Sequence, residues 1–152
     1  MDEHRPLAQT SAGSAASNAE MAYFFLRFTL GVNFFMHGLA RILSGHAVFF
    51  AYIEKQMQYT ELTSGFLNGF SYVLPYVELS VGLLLLLGLF TRVTLVVTSL
   101  LMLSLQVGVC LAQNWALAGD QLIYVIILFI LLTFESRNRW SVDRLAGIPS
   151  GA

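Results

Sequence analysis

The stretch Pro75–Arg92, PYVELSVGLLLLLGLFTR, constrains the fold more than any other. It is almost uniformly apolar, holds one carboxylate at Glu78, and stops abruptly at Thr91-Arg92. With the apolar residues before it, it is long enough to cross a hydrocarbon core, since roughly 20 helical residues at ~1.5 Å each cover the ~30 Å of a bilayer. An ionised Glu inside such a run costs about 3 kcal/mol or more unless it is paired, protonated or facing water. The chain therefore needs other helices that bring partners to Glu78.

Composition agrees. Of 152 residues, 57% are hydrophobic and 11% charged, whereas soluble domains carry about 25% charged residues. The charges avoid the long apolar stretches, which is the pattern of a polytopic membrane protein. A net charge of −1 leaves no nucleic-acid footprint, so that partner class is excluded. One cysteine, Cys110, excludes an internal disulfide and a CxxC pair. Thiol–disulfide chemistry would have to belong to a partner.

Residues 1–20 are rich in Ala, Ser and Gly without periodicity and read as a flexible cytoplasmic tail. No apolar h-region follows its charges, so the first apolar segment reads as an uncleaved signal anchor. The membrane domain is expected over 21–135, with a cytoplasmic tail over 136–152. The first span, Met21–Leu43, carries Arg27, Asn33, His37 and Arg41. Arg27, Gly31, Phe34, Gly38 and Arg41 step by four and three and share one face, where two glycines admit another helix closely. Asn33, His37 and Arg41 run along the neighbouring edge, so this side should look into the bundle.

Ser44–Thr63 is amphipathic and aromatic and reads as a short interfacial helix. The second span starts as early as Ser64, with Pro75 expected to kink it. A turn of a few residues then gives a tight antiparallel hairpin with the third span, Val93–Gln113. Counting from the turn puts Glu78 and Gln106 at nearly one depth. Asn114–Gly119 is a loop, and Asp120 is expected to cap the fourth span, which ends at Phe134. Trp140 suits an interface anchor. Arg5, Arg92, Arg137, Arg139 and Arg144 fall on one side and Arg41 and Lys55 on the other, so both termini are expected in the cytoplasm. The fold class is all-α, a four-span membrane bundle with an amphipathic segment between helices one and two.

LRFTLGVNFFMHGLARI in the first span, PYVELSVGLLLLLGLFTR in the second and WSVDRL after the last resemble the DoxX family, small four-helix proteins of bacterial cytoplasmic membranes. The resemblance runs from Ala22 to Leu145. It rests on Arg27, Gly31, Phe34, Gly38 and Arg41, then Glu78, Gly82, Gly88 and Thr91-Arg92, and finally Ser141-Val142-Asp143. The longer aromatic loop at 47–72 makes the chain a variant. The family takes its name from a subunit of an archaeal thiosulfate:quinone oxidoreductase, and relatives are linked to membrane oxidoreductase complexes and to oxidative or thiol stress. It supplies no catalytic set to carry across.

Candidate site residues therefore rest on physics. Glu78 is a proton-exchanging acid, a ligand for a cationic group, or half of a structural ion pair with Arg27 or Arg41; the deeper Arg27 has the greater need of a counter-charge. His37 is either a titrating group suited to a quinone pocket or a histidine bonded to a carbonyl or to Asn33. Gln106 reads as an interhelical hydrogen-bonding residue, and Cys110 as a small apolar filler. With His4 and His46 outside the spans, haem and a metal site built by this chain alone are not expected.

The leading expectation is a membrane subunit of an oxidoreductase complex rather than a self-contained enzyme. No covalently bound cofactor is expected, and quinone is the candidate ligand. Its partners are membrane lipids and either an oxidoreductase or further copies of the chain. The alternative is a small-solute transporter or an assembly scaffold without redox chemistry. Four spans with no internal repeat are few for a transporter acting alone.

Overall fold

A computed structural model describes residues 7–147, with side chains from residue 17. Its elements are α1 (Leu7–Ser44), α2 (His46–Gln56), α3 (Ser64–Leu87), α4 (Thr91–Leu111), α5 (Trp115–Thr133), a 3-10 turn at Glu135–Arg137 and α6 (Val142–Leu145). No strand occurs among the described residues. Helices α3, α4 and α5 are each long and apolar enough to cross a membrane. The α1–α2 pair, bent by 108°, makes a fourth if taken as one span. The bend falls at Gly45, whose φ of 83° lies in the left-handed region that only glycine enters without strain.

Helices α1 and α3 pack backbone to backbone. A Cβ on Gly38 would sit 2.5 Å from Leu79 N and Pro75 O, and one on Gly82 only 2.3 Å from Phe35 N. Gly31 is level with Leu86, 2.8 Å from its nitrogen by the same measure. These contacts set an antiparallel register, and the face expected from Arg27, Gly31, Phe34 and Gly38 is the one buried. The core is shared by all four long helices: Tyr23, Leu30 and Phe34, then Val81 and Leu85, Leu95 and Met102, and Leu128 and Leu131. A second cluster joins Phe49 and Ile53 of α2 to Leu67 and Leu74 of α3.

Several sequence expectations change. The flexible tail expected over 1–20 lies outside the described residues at 1–6, and from Leu7 the chain is already helical. Helix α5 starts at Trp115 rather than Asp120, because the Asn114 side chain accepts a hydrogen bond from Leu117 N at 3.2 Å and is the cap. Asp120 sits exposed inside the helix. Other expectations hold: the second span starts at Ser64, and Pro75 lies inside it, in α3. The tail expected over 136–152 lies outside the described residues at 148–152. Before that it folds back on the molecule, burying Asn138, Ser141 and Asp143.

Candidate functional site

Among the described residues, two polar centres and a cavity beside them bear on function. The first centre is at the α3–α4 turn. Helix α3 ends in Gly88, whose φ of 65° gives a left-handed stop. Helix α4 begins after Phe90, which has no side chain that can cap it. The exposed N–H groups are satisfied from the far end of the chain. Asp143 accepts from Phe90 N at 2.6 Å, from Thr91 N at 2.7 Å and from Thr91 Oγ1 at 2.7 Å. Asn138 Nδ2 donates to Thr91 Oγ1 at 2.9 Å, and Asp143 N donates to Gly88 O at 3.0 Å. Arg27, fully buried, serves the other helix end: it donates to the carbonyls of Leu85 and Leu86 and, at 2.7 Å, to that of Trp140. A cation at a helix C-terminus also meets the negative end of the dipole.

The second centre is the ion pair between Arg41 and Glu78. The Glu78 side chain is 3% exposed and that of Arg41 26%. The guanidinium also lies over the Phe49 ring, 4.7 Å from its centroid. Arg41 therefore has one edge held by a carboxylate and one face held by an aromatic ring.

Arg41 also lines a cavity of about 550 Å³ walled by α2, α3, α4 and α5. That size falls in the range of small-molecule sites, roughly 300–1,000 Å³. The wall is mostly aliphatic and aromatic, including Phe49, Ile53, Leu67, Phe70 and Leu74. Its polar members include Arg41 and Gln121, and Gln121 Oε1 is buried without a hydrogen-bond partner. Gly108 leaves room in the wall: the nearest atom to a Cβ there would be Met57 Cε, at 3.4 Å.

The polar cluster expected from Arg27, Asn33, His37, Arg41, Glu78 and Gln106 does not converge. Only Arg41 and Glu78 come together. The partner of Glu78 is Arg41 and not Arg27, for a geometric reason. The two arginines are about four turns, some 20 Å, apart along α1. The glycine contacts place Glu78 beside Gly38, one turn from Arg41, while Arg27 lies level with the end of α3. Asn33 instead donates to Tyr124 Oη at 3.3 Å. His37 is exposed on the outer flank of α1 and does not line the cavity. Gln106 Nε2 reaches Cys110 Sγ at 3.8 Å on its own helix, and its Oε1 is buried unpartnered.

The residues sequence reasoning underused are Asp143, Asn138 and Thr91. Their signal was present: a helix opening after Gly-Leu-Phe has no local cap, so a distant carboxylate had to supply one. Among the described residues, no three His, Cys, Asp or Glu side chains gather in a way that would hold a metal ion.

Comparison with curated proteins and with solved structures returns no match. The family model described as DoxX matches residues 22–110, which takes in α1 from Ala22 onward, all of α2 and α3, and α4 as far as Cys110. With more than half its length matched, and with the apolar helices described above, the chain belongs to the DoxX family of membrane proteins.

Proposed function

We propose that this protein is an accessory subunit of a membrane oxidoreductase complex and that its cavity receives a quinone. The single observation that carries the reading is the cavity of about 550 Å³, apolar except for a few groups that include the fixed guanidinium of Arg41. A quinone fits that lining. Its ring and tail suit the aliphatic and aromatic wall, and its carbonyl oxygens need a donor such as Arg41. When bound, it supplies two-electron, two-proton redox chemistry. The chain's own residues bind and orient: Glu78 and Phe49 hold Arg41, and the apolar wall excludes water.

The reading extends to topology. Arg92, Arg137, Arg139 and Arg144 belong to the end of the molecule where residues 138–143 close on the α3–α4 turn, and Arg41 and Lys55 to the other. By the positive-inside rule the protein lies in a bacterial cytoplasmic membrane as four spans with both termini cytoplasmic, and α2 rests at the outer interface. The test is to isolate the tagged protein from its native membrane, identify fixed-ratio partners and quantify extracted quinone. An oxidoreductase partner together with quinone is the expected result. A well-folded preparation with neither retires the reading, and a homo-oligomer alone favours a small-solute carrier.

A further inference from the structure

The flank of the cavity is open in a specific direction. Phe66 of α3, Leu100, Leu103 and Val107 of α4 and Tyr52 of α2 all line it, and each is more than half exposed. These residues are exposed on α3 and α4, both long and apolar enough to cross a membrane, and on α2, which packs against α3. The opening is therefore bounded by apolar groups on a surface that faces hydrocarbon. The lining also carries polar groups of opposite demand, Arg41 and Gln121 among them. Arg41 offers N–H donors beyond the one given to Glu78, and Gln121 Oε1 is a buried acceptor with no donor.

We propose that the cavity is loaded sideways from the bilayer, between α3 and α4, by a single-headed amphiphile whose polar head lodges against Arg41 and Gln121 while its tail leaves toward lipid. This rests on the ligand site named above but not on the ligand being a quinone. A cavity of about 550 Å³ holds a headgroup and the first part of a tail, and the open flank lets the remainder stay in hydrocarbon. Recognition then depends on the head and on cavity volume, and little on tail length. Gly108 is the control point, because a side chain there would project into the space beside Met57.

The experiment uses the full chain in lipid nanodiscs and two photoreactive probes, each with a diazirine in a ten-carbon tail, one headed by a dimethoxybenzoquinone and one by a carboxylate. Peptide mapping is the readout. Labels are expected on Phe66, Leu100, Leu103 and Val107. Gly108→Phe should abolish them, whereas Gly108→Ala, which Met57 can accommodate, should keep them and serve as the folding control. Gln121→Leu should weaken labelling about five- to tenfold by the first probe reduced to its hydroquinone, whose hydroxyl can donate to Gln121 Oε1, and should change little with the carboxylate head, which has no donor to give. Labelling by the carboxylate probe alone upholds the lateral site and removes the quinone reading. Labelling by either probe that is scattered over the outer helix faces, or that survives Gly108→Phe in a folded protein, overturns the proposal. So does no specific labelling by either.

Discussion

Asp143 Oδ2 lies 2.7 Å from both the backbone nitrogen and the hydroxyl oxygen of Thr91, so a carboxylate near the end of the chain caps a helix that starts 52 residues earlier. Helix α4 has no capping side chain of its own at Phe90. The N–H groups of Phe90 and Thr91 are therefore satisfied only when residues 138–143 are docked. This ties the segment over residues 138–143 to the stability of the whole bundle.

Removing that carboxylate should be among the costliest polar changes in the protein. Asp143→Ala strands three donors, two of them backbone or hydroxyl groups of the buried Thr91, at about 3 kcal/mol in total. Asp143→Asn keeps an acceptor and should lose less. Thermal unfolding in detergent micelles gives the ranking. An Asp143→Ala protein as stable as the unaltered one would mean that the segment is not docked.

Arg27 is the matching cap for α3, and its fork reaches carbonyls on two separate segments. Arg27→Lys keeps the charge but cannot span Leu85, Leu86 and Trp140 together. It should unfold at a lower temperature, and Arg27→Leu lower still, because buried carbonyls are left bare. Limited proteolysis after Arg137 or Arg139 should accelerate in both variants. Equal stability of the lysine variant would show that charge alone suffices.

The α1–α3 seam leaves no room for a methyl group. Gly38→Ala and Gly82→Ala would press a Cβ to 2.5 Å and 2.3 Å from backbone atoms of the opposite helix. Neither backbone can yield cheaply, so each should cost at least the ~1–3 kcal/mol of ordinary overpacking. Gly69→Ala is the control, since nothing lies within 4 Å of its Cβ position, and helix propensity predicts a neutral or slightly stabilising effect. Yield of monodisperse protein and its melting temperature separate the three.

How much of this was legible in the sequence depended on the length scale of the feature. The all-α class, the apolar helices and the glycine face of α1 follow from periodicities of three and four, which are local. The partner of Glu78 was not local. Preferring Arg27 for its deeper charge weighed need over position, whereas position is set by the register of Gly31, Gly38 and Gly82 against the opposite backbone. The missing local cap of α4 was legible, but that Asp143 supplies it was not, since its partners lie more than 50 residues away. Asn114 could have been preferred to Asp120: a residue of N-cap type, followed at once by helix-compatible residues, was available one turn and more earlier. His37 shows the reverse error, because one step along a helix edge is enough to turn a polar residue from the interior to the flank.

The α5 start offers a direct test of that last assignment of caps. Asn114→Ala removes the acceptor for Leu117 N and should cost about 1 kcal/mol. Asp120→Ala should be near neutral, since that side chain is exposed within the helix. A larger loss for Asp120 than for Asn114 in chemical or thermal unfolding would move the helix start.

The Arg41–Glu78 pair should respond asymmetrically to the loss of either partner. Arg41→Met leaves a carboxylate that is 3% exposed without its counter-charge, whereas Glu78→Gln leaves a guanidinium that is 26% exposed and still lies over Phe49. Breaking a buried pair by removing one partner costs about 3–5 kcal/mol when the survivor has no access to water. Arg41→Met should approach that range, and Glu78→Gln should fall clearly below it. The double variant removes both charges, so its loss should be smaller than the sum of the single losses and close to that of Glu78→Gln alone. A double-mutant cycle on unfolding in micelles measures all three. Additive losses would show that the two side chains are not coupled, and Arg41 would then be free to turn away from the cavity wall.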